Sequence, residues 1–135
     1  MNIKDGDKIN ILGTEYTFKI GDDHSDYFQG CDGFILYKQK LIVISDMSTY
    51  QINKDYTDKD IFLRRSQNHA LRHEIIHAFF YESGLWDAAG KYSEAWPINE
   101  EMVDWFSIQS PKIFKLYEEL DILEDWYEFN RRYKW

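Results

Sequence analysis

The first half of the chain alternates between polar and apolar positions. The alternation covers residues 7–12 (DKINIL), breaks at Gly13 and resumes over residues 14–20 (TEYTFKI). A period of two is typical of strands that bury one face, and a glycine between two such runs indicates a tight turn. These residues are therefore predicted to form a hairpin.

A second pair of β-prone runs follows a segment rich in glycine and aspartate. Residues 21–33 (GDDHSDYFQGCDG) are predicted to form a loop, because these residue types favour turns. Residues 34–37 and 41–45 then flank the polar tripeptide KQK, which predicts another hairpin. Together the two hairpins predict a small antiparallel sheet.

The second half of the chain has the spacing of helices. Apolar positions between residues 60 and 83 fit one face of a helix, and Gly84 is suited to end it. Residues 85–98 are predicted to form a loop, and residues 99–109 a second helix. Strands followed by helices predict an α+β fold.

The C-terminal part is expected to contain a further helix. Ser110 followed by Pro111 has the pattern of an N-cap and a first helical residue. Residues 113–133 continue with helical periodicity. The sequence therefore predicts that a new helix begins near Pro111.

Composition and charge narrow the class of protein. A chain of 135 residues with 44% hydrophobic and 18% aromatic residues suits a single domain over residues 1–135. The formal net charge of −8 disfavours nucleic acids and anionic membranes as partners. The N-terminus lacks the apolar core of a signal peptide, and Cys31 is the single cysteine. We therefore expect a cytoplasmic protein.

The predicted central helix carries the sequence His73-Glu74-Ile75-Ile76-His77. Residues four apart lie on the same face of a helix, with Cβ atoms about 5–6 Å apart, so both imidazoles can reach one zinc ion. Glu74 is rotated away from the two histidines and can instead take a proton from a water held by the metal. His73 and His77 are thus candidate metal ligands, and Glu74 is the candidate catalytic base.

A third protein ligand is expected from the acidic start of the next helix. Glu100 and Asp104 are four residues apart, so Glu100 could bind the metal while Asp104 accepts the second N–H of a ligating histidine. Glu101 is a rival for the ligand position. In isolation, acidic residues at the start of a helix are more simply explained as solvated side chains favoured by the positive end of the helix dipole. In a chain that also carries an HExxH motif, the ligand interpretation is favoured.

These motifs resemble those of the gluzincins, zinc peptidases whose third ligand is a glutamate on a later helix. Asn99, Glu100 and Asp104 match the NExxxD pattern, whereas Phe80 and Ser83 stand where a metzincin has glycine and histidine. The chain is most similar to the small ImmA/IrrE-like metallopeptidases of phages and mobile elements. The likeness covers residues 71–113, including Phe106 and Ser107 after Asp104.

The resemblance implies a minimal zincin-like fold, with a short sheet before the active-site helix and a glutamate-ligand helix after it. It also implies one Zn²⁺ held by His73, His77 and Glu100. The family's repressor substrates do not carry over, because the chain has neither room for a helix-turn-helix domain nor a basic surface.

The expected activity is that of a zinc-dependent metalloendopeptidase acting on a protein or peptide. The zinc-bound water would attack the peptide carbonyl after Glu74 removes its proton. The substrate is expected to lie extended along an edge strand, with residues 41–45 the best candidate. The residue that stabilises the oxyanion is open between Tyr81, His69 and Tyr92, each of which is more simply explained as an ordinary packed or solvated residue.

Two other classes of function compete with a peptidase. The chain could be a catalytically weak zinc-binding module through which a phage or mobile element contacts a partner protein. A purely structural zinc site is the weakest alternative, since such sites use four closed ligands, usually with cysteine, and only Cys31 is present. Trp86 and Trp96 could shape a specificity pocket, although core packing is the simpler interpretation.

Overall fold

The computed structural model of the chain describes residues 3–50, 59–88 and 99–119. Four strands, β1 (Lys8–Ile11), β2 (Thr14–Gly21), β3 (Gly33–Leu36) and β4 (Leu41–Ser45), precede the helices α1 (Lys59–Glu82), α2 (Leu85–Ala88) and α3 (Glu100–Glu119). The order of elements confirms the α+β fold. No helix within the described ranges is both long and apolar enough to cross a membrane.

Both predicted hairpins are present, but the sheet that they form is mixed. Strands β1 and β2 pair antiparallel, as do β3 and β4. The strand order β1-β2-β4-β3 places β4 beside β2, and that pair is parallel. The expectation of an antiparallel sheet is therefore wrong at the junction between the hairpins. The segment between β2 and β3 is long enough to carry the chain to the far edge, so β4 returns alongside β2 in the same direction.

This strand order corrects the predicted position of residues 41–45. Strand β4 lies inside the sheet, and its residues from Ile42 to Ser45 are buried. A strand flanked on both sides and covered by a helix is expected to be mostly apolar, as Leu41 to Ile44 are. The edge strands are β1 and β3. Of these two strands, β3 is the one whose residues Gly33 and Phe34 lie beside the candidate site.

Helix α1 packs its buried face on the sheet. Ala70, Leu71 and Ala78 belong to the same core cluster as Ile42 and Ile44 of β4. The predicted helix over residues 60–83 is confirmed to within one residue at each end. Gly84 has φ +77°, a conformation in which glycine avoids the strain of a Cβ atom, and its N–H bonds to the Tyr81 carbonyl at 3.2 Å.

Hydrogen bonds to Glu82 connect the C-terminal end of α1 to the sheet. Its carboxylate accepts hydrogen bonds from Lys40 Nζ at 2.6 Å, Tyr16 Oη at 2.6 Å and Thr14 Oγ1 at 2.8 Å. These bonds, the one from Lys40 foremost, lower the pKa of Glu82 from 4.5 to about 2. The last turn of α1 is thereby held over β2 and the start of β4.

Helix α3 begins as predicted but continues through Pro111. Asn99 caps it, its Oδ1 accepting the Met102 N–H at 2.8 Å. Proline has no N–H for the carbonyl four residues earlier, which here belongs to Ser107. Arg72 Nε donates to that carbonyl at 2.7 Å instead. This bond from α1 compensates the lost helical bond, so the prediction of a new helix at Pro111 is wrong.

The segment 85–98, predicted to be a loop, is described only in part. It begins with a short helix, α2. Tyr92 and Trp96 fall in the remainder of that segment, which is not among the described residues. The helix predicted over residues 113–133 is described as far as Glu119, as the continuation of α3.

Candidate metal centre

His73 and His77 lie on one face of α1, one turn apart. Their Nε2 atoms are 3.1 Å from each other, and the two rings meet edge to face with centroids 4.8 Å apart. Both side chains are largely buried between α1 and its neighbours, with exposed fractions of 18% and 9%. Two neutral imidazole nitrogens so close together repel through their lone pairs unless a proton or a metal ion lies between them.

Glu100 brings its carboxylate to the same point from the first turn of α3. Its Oε2 lies 3.0 Å from His73 Nε2, and its Oε1 lies 3.4 Å from His77 Nε2. One donor atom from each of the three residues lies within 4.8 Å of the others. This group could hold a metal ion. Within the described part of the chain it is the one such group of histidine, cysteine and carboxylate side chains.

The rival ligand Glu101 lies on a different side of α3. It lines a second, smaller cavity with Met102, Trp105 and Phe106, away from the histidines. A step of one residue rotates a side chain by about 100° around a helix, so two adjacent glutamates cannot face the same point. Glu100 is the residue that the fold brings to the two histidines.

Asp104 supports the histidine from one turn further along α3. Its Oδ1 lies 2.7 Å from His73 Nδ1, which is the contact expected from the spacing of Glu100 and Asp104. A carboxylate oxygen only accepts, so Nδ1 carries the hydrogen and the neutral ring keeps its Nε2 lone pair for a metal. His69 Nε2 is 3.7 Å from the same Oδ1, too far for a hydrogen bond.

Buried contacts between α1 and α3 fix the distance between the ligand residues. Ser107 is fully buried, and its hydroxyl donates to the His69 carbonyl at 3.2 Å. Arg72 Nε binds the Ser107 carbonyl, and Val103 is buried on the same face of α3. The position of the exposed Glu100 therefore follows from the packing of the helix that carries it.

Glu74 lies on the sheet side of the two histidines and is buried. A Cβ atom built on Gly33, the first residue of β3, would stand 3.1 Å from both Cγ and Oε1 of Glu74. The pKa of Glu74 is raised from 4.5 to about 7, mainly by burial; His73 opposes the rise and the charge of Glu100 adds to it. The motif glutamate thus lies where the absence of a side chain at Gly33 makes room for it.

An open cleft of about 630 Å³ gives access to these residues. The edge strand β3 and the loop before it form one side, and α1 and α3 form the other. Four carboxylates line the cleft, namely Asp32, Glu74, Glu100 and Asp104, whereas no described lysine or arginine does. Trp86 and Tyr37 contribute aromatic surface.

Tyr37 is one of the cleft residues that the sequence did not indicate. Its ring stacks on Tyr81 with centroids 4.4 Å apart, yet Tyr37 lines the cleft and Tyr81 does not. Burial, with the charges of Glu74 and Glu100, raises the pKa of Tyr37 to about 12, so its hydroxyl remains a hydrogen-bond donor at neutral pH. Of the three candidates named from the sequence, His69 lines the cleft, Tyr81 lies behind Tyr37, and Tyr92 is outside the described residues.

Comparisons with protein-family models, curated proteins and solved structures return no match to this chain. The resemblance to the gluzincins and to the ImmA/IrrE-like metallopeptidases therefore stays a prediction. It depends on the motif residues of α1 and α3.

Proposed function

We propose that the protein is a zinc-dependent metallopeptidase. The observation that carries the proposal is the convergence of two imidazole nitrogens, 3.1 Å apart, with the Glu100 carboxylate, whose Oε2 lies 3.0 Å from His73 Nε2 and whose Oε1 lies 3.4 Å from His77 Nε2. Tetrahedral ligands about 2.0–2.1 Å from zinc are separated by about 3.3–3.4 Å, close to these distances. A set of two histidines and one glutamate is also a donor set that catalytic zinc sites use, with the fourth position left for water or substrate.

Glu74 and Tyr37 have surroundings that suit a catalytic role for each. Zinc, when bound, supplies a Lewis acid that polarises the substrate carbonyl and lowers the pKa of a water ligand. Glu74 takes a proton from the attacking water and returns it to the departing amine. The Tyr37 hydroxyl donates a hydrogen bond to the carbonyl oxygen as negative charge develops on it.

The outer edge of β3, with which no described strand pairs, offers a place for the substrate backbone. β3 pairs with β4 on one side, and its first residues Gly33 and Phe34 line the cleft beside Glu74. An extended peptide can add to such an edge by main-chain hydrogen bonds. A peptide bound there would present its scissile bond near Glu74 and the metal ligands.

The test combines metal content with the catalytic glutamate. Purified protein is expected to bind about one zinc per chain, His77→Ala much less, and Glu74→Gln as much as the wild type. With zinc loaded, Glu74→Gln should lower peptide cleavage by about a hundredfold or more, as expected for the loss of a general base. Glu101→Gln, which removes the same charge outside the cleft, should change neither zinc content nor cleavage.

The result also separates the peptidase from an interaction module. A protein that binds no zinc after reconstitution would contradict the metal site. A zinc-loaded protein that cleaves no protein or peptide substrate, and whose partner binding is unchanged in Glu74→Gln, would instead support a zinc-binding interaction module.

A further inference from the structure

The two ends of the cleft differ in chemistry. Asp32 lies directly before β3, and Tyr37 directly after it, with Trp86 beside Tyr37. Both ends line the cleft that contains the metal ligands. A peptide lying along β3 would therefore meet a carboxylate at one end and an aromatic surface at the other.

We infer, on the basis of the peptidase proposed above, that the cleft selects peptides through both ends. A lysine or arginine side chain binds beside Asp32, next to the scissile bond. An aromatic or large aliphatic side chain packs on Tyr37 and Trp86, four or five residues along the same peptide.

The acidic end is suited to a cation because nothing in the described structure neutralises it. Asp32 is exposed, accepts a hydrogen bond from the Tyr50 hydroxyl, and forms no ion pair with a described residue. The four cleft carboxylates face no described lysine or arginine in the cleft lining. A bound zinc ion offsets the charges of Glu100 and Glu74, but it leaves those of Asp32 and Asp104. Opposite charge on a ligand is favoured in such a cleft.

The aromatic end is preformed. Tyr37 and Trp86 have centroids 5.3 Å apart, and Tyr81 stacks behind Tyr37 with nearly parallel rings. Lys40 lies 5.0 Å above the Tyr81 ring and is held by Glu82. Rings supported in this way offer apolar area without the entropic cost of ordering them on binding.

The length of β3 sets the spacing between the two side chains. Tyr37 follows Asp32 by five residues, which at about 3.3 Å per residue places the two ends roughly 16–17 Å apart. An extended peptide paired with β3 has the same rise. Its basic and aromatic residues must therefore be four or five positions apart to occupy both ends together.

Binding can be measured apart from cleavage in zinc-loaded Glu74→Gln protein. The probes are fluorescein-labelled ten-residue peptides of Ala, Ser and Gly that contain one Lys and one Phe. Fluorescence anisotropy compares peptides with the two residues four or five positions apart, in either order, with peptides that have them adjacent. Further probes replace Lys by Gln or Phe by Ala.

Matched variants then assign each preference to one end of the cleft. Asp32→Asn keeps the acceptor for Tyr50 and should weaken binding of the Lys peptide about threefold, as expected for a solvent-exposed ion pair. The same variant should leave the Gln peptide unchanged. Trp86→Leu should remove the roughly fivefold to tenfold advantage of Phe over Ala. Glu101→Gln and Trp105→Leu, which change the same residue types outside the cleft, should have no effect.

If Asp32→Asn and Glu101→Gln weakened binding of the Lys peptide equally, the inference would be overturned. Such a result would indicate that the net charge of the protein alone attracts the peptide. Equal affinity for adjacent and separated Lys and Phe would overturn it as well. The peptide substitutions need no folded variant, so they remain decisive if one of the variants misfolds. Wild-type protein that cleaves peptides without these preferences contradicts the inference alone. The binding pattern without any cleavage contradicts the peptidase alone.

Discussion

Tyr37 and Tyr81 show how differently two stacked residues can be placed. Their rings lie 4.4 Å apart and nearly parallel, but of the two only Tyr37 lines the cleft with the candidate metal ligands. Burial, together with the charges of Glu74 and Glu100, raises the pKa of the Tyr37 phenol to about 12. A phenol so placed remains protonated in neutral solution and is available to donate a hydrogen bond to a substrate oxygen.

Replacing Tyr37 by Phe should therefore slow catalysis without weakening metal binding. We expect kcat for peptide cleavage to fall roughly tenfold to a hundredfold, as when one donor to a developing oxyanion is lost, with KM little changed. Zinc content should equal that of the wild type. Tyr81→Phe, which removes a hydroxyl from the other ring of the stack, should keep kcat. Equal kcat for Tyr37→Phe and wild type would exclude this role for Tyr37.

The contacts among residues spaced four apart on the two helices could be predicted from the sequence. The contacts that depend on the order of strands in the sheet could not. The positions of His73 and His77 follow from a spacing of four, and so does the contact of Asp104 with His73 once Glu100 is beside them. Tyr37 reaches the cleft because β3 is an edge strand next to α1. Short-range periodicity carries no information about that order of strands.

At the scale of elements, Gly33 allows β3 to pack closely against the buried face of α1. The hypothetical Cβ of Gly33 would lie 2.8 Å from Ile44 Cδ1 in the core and 3.1 Å from two atoms of Glu74. The close approach of strand and helix therefore depends on the absence of a side chain at this residue. A side chain there must displace either the core methyl or the proposed catalytic carboxyl.

Gly33→Ala is accordingly expected to uncouple catalysis from metal binding. The added methyl group should shift Glu74 and lower kcat by about tenfold or more, since small misplacements of a reacting group are costly. Overpacking against Ile44 should reduce the free energy of unfolding by about 1–3 kcal/mol. Zinc content should stay near one per chain, because the three ligands lie on α1 and α3. Full activity with unchanged stability would show that the strand and helix have more room than the structure gives them.

The elements themselves were largely predictable, while their junctions were not. The two hairpins, α1 and the start of α3 near residue 99 follow from local patterns. The parallel pairing of β2 with β4 depends on where the second hairpin docks, which is a tertiary choice. The continuation of α3 through Pro111 depends on Arg72, a residue of another helix, donating to the Ser107 carbonyl. Such compensation is not visible in the residues next to the proline.

For the whole molecule, the contact between the last turn of α1 and the sheet is electrostatic as well as apolar. Glu82 is the acceptor for three donors, Lys40, Tyr16 and Thr14, and its side chain is 13% exposed. Ion pairs of the exposed type, such as Lys8 with Glu15, contribute little to stability because water screens them. The Glu82 contacts are the stronger candidate for a pH-dependent contribution to folding.

The sign of that contribution follows from the pKa of Glu82. It is about 2 in the folded protein and 4.5 as the ordinary value, so the stabilisation is complete above about pH 4.5 and is lost as the pH falls towards 2. Glu82→Gln should lower the free energy of unfolding by about 1–3 kcal/mol at pH 7, as for a lost hydrogen-bonded charge. In urea unfolding, its difference from the wild type should shrink below pH 4.5. Glu15→Gln is the control and should show a small difference at every pH. A Glu82→Gln difference that is constant from pH 7 to pH 2.5 would mean that shape and packing, rather than the carboxylate charge, hold α1 to the sheet.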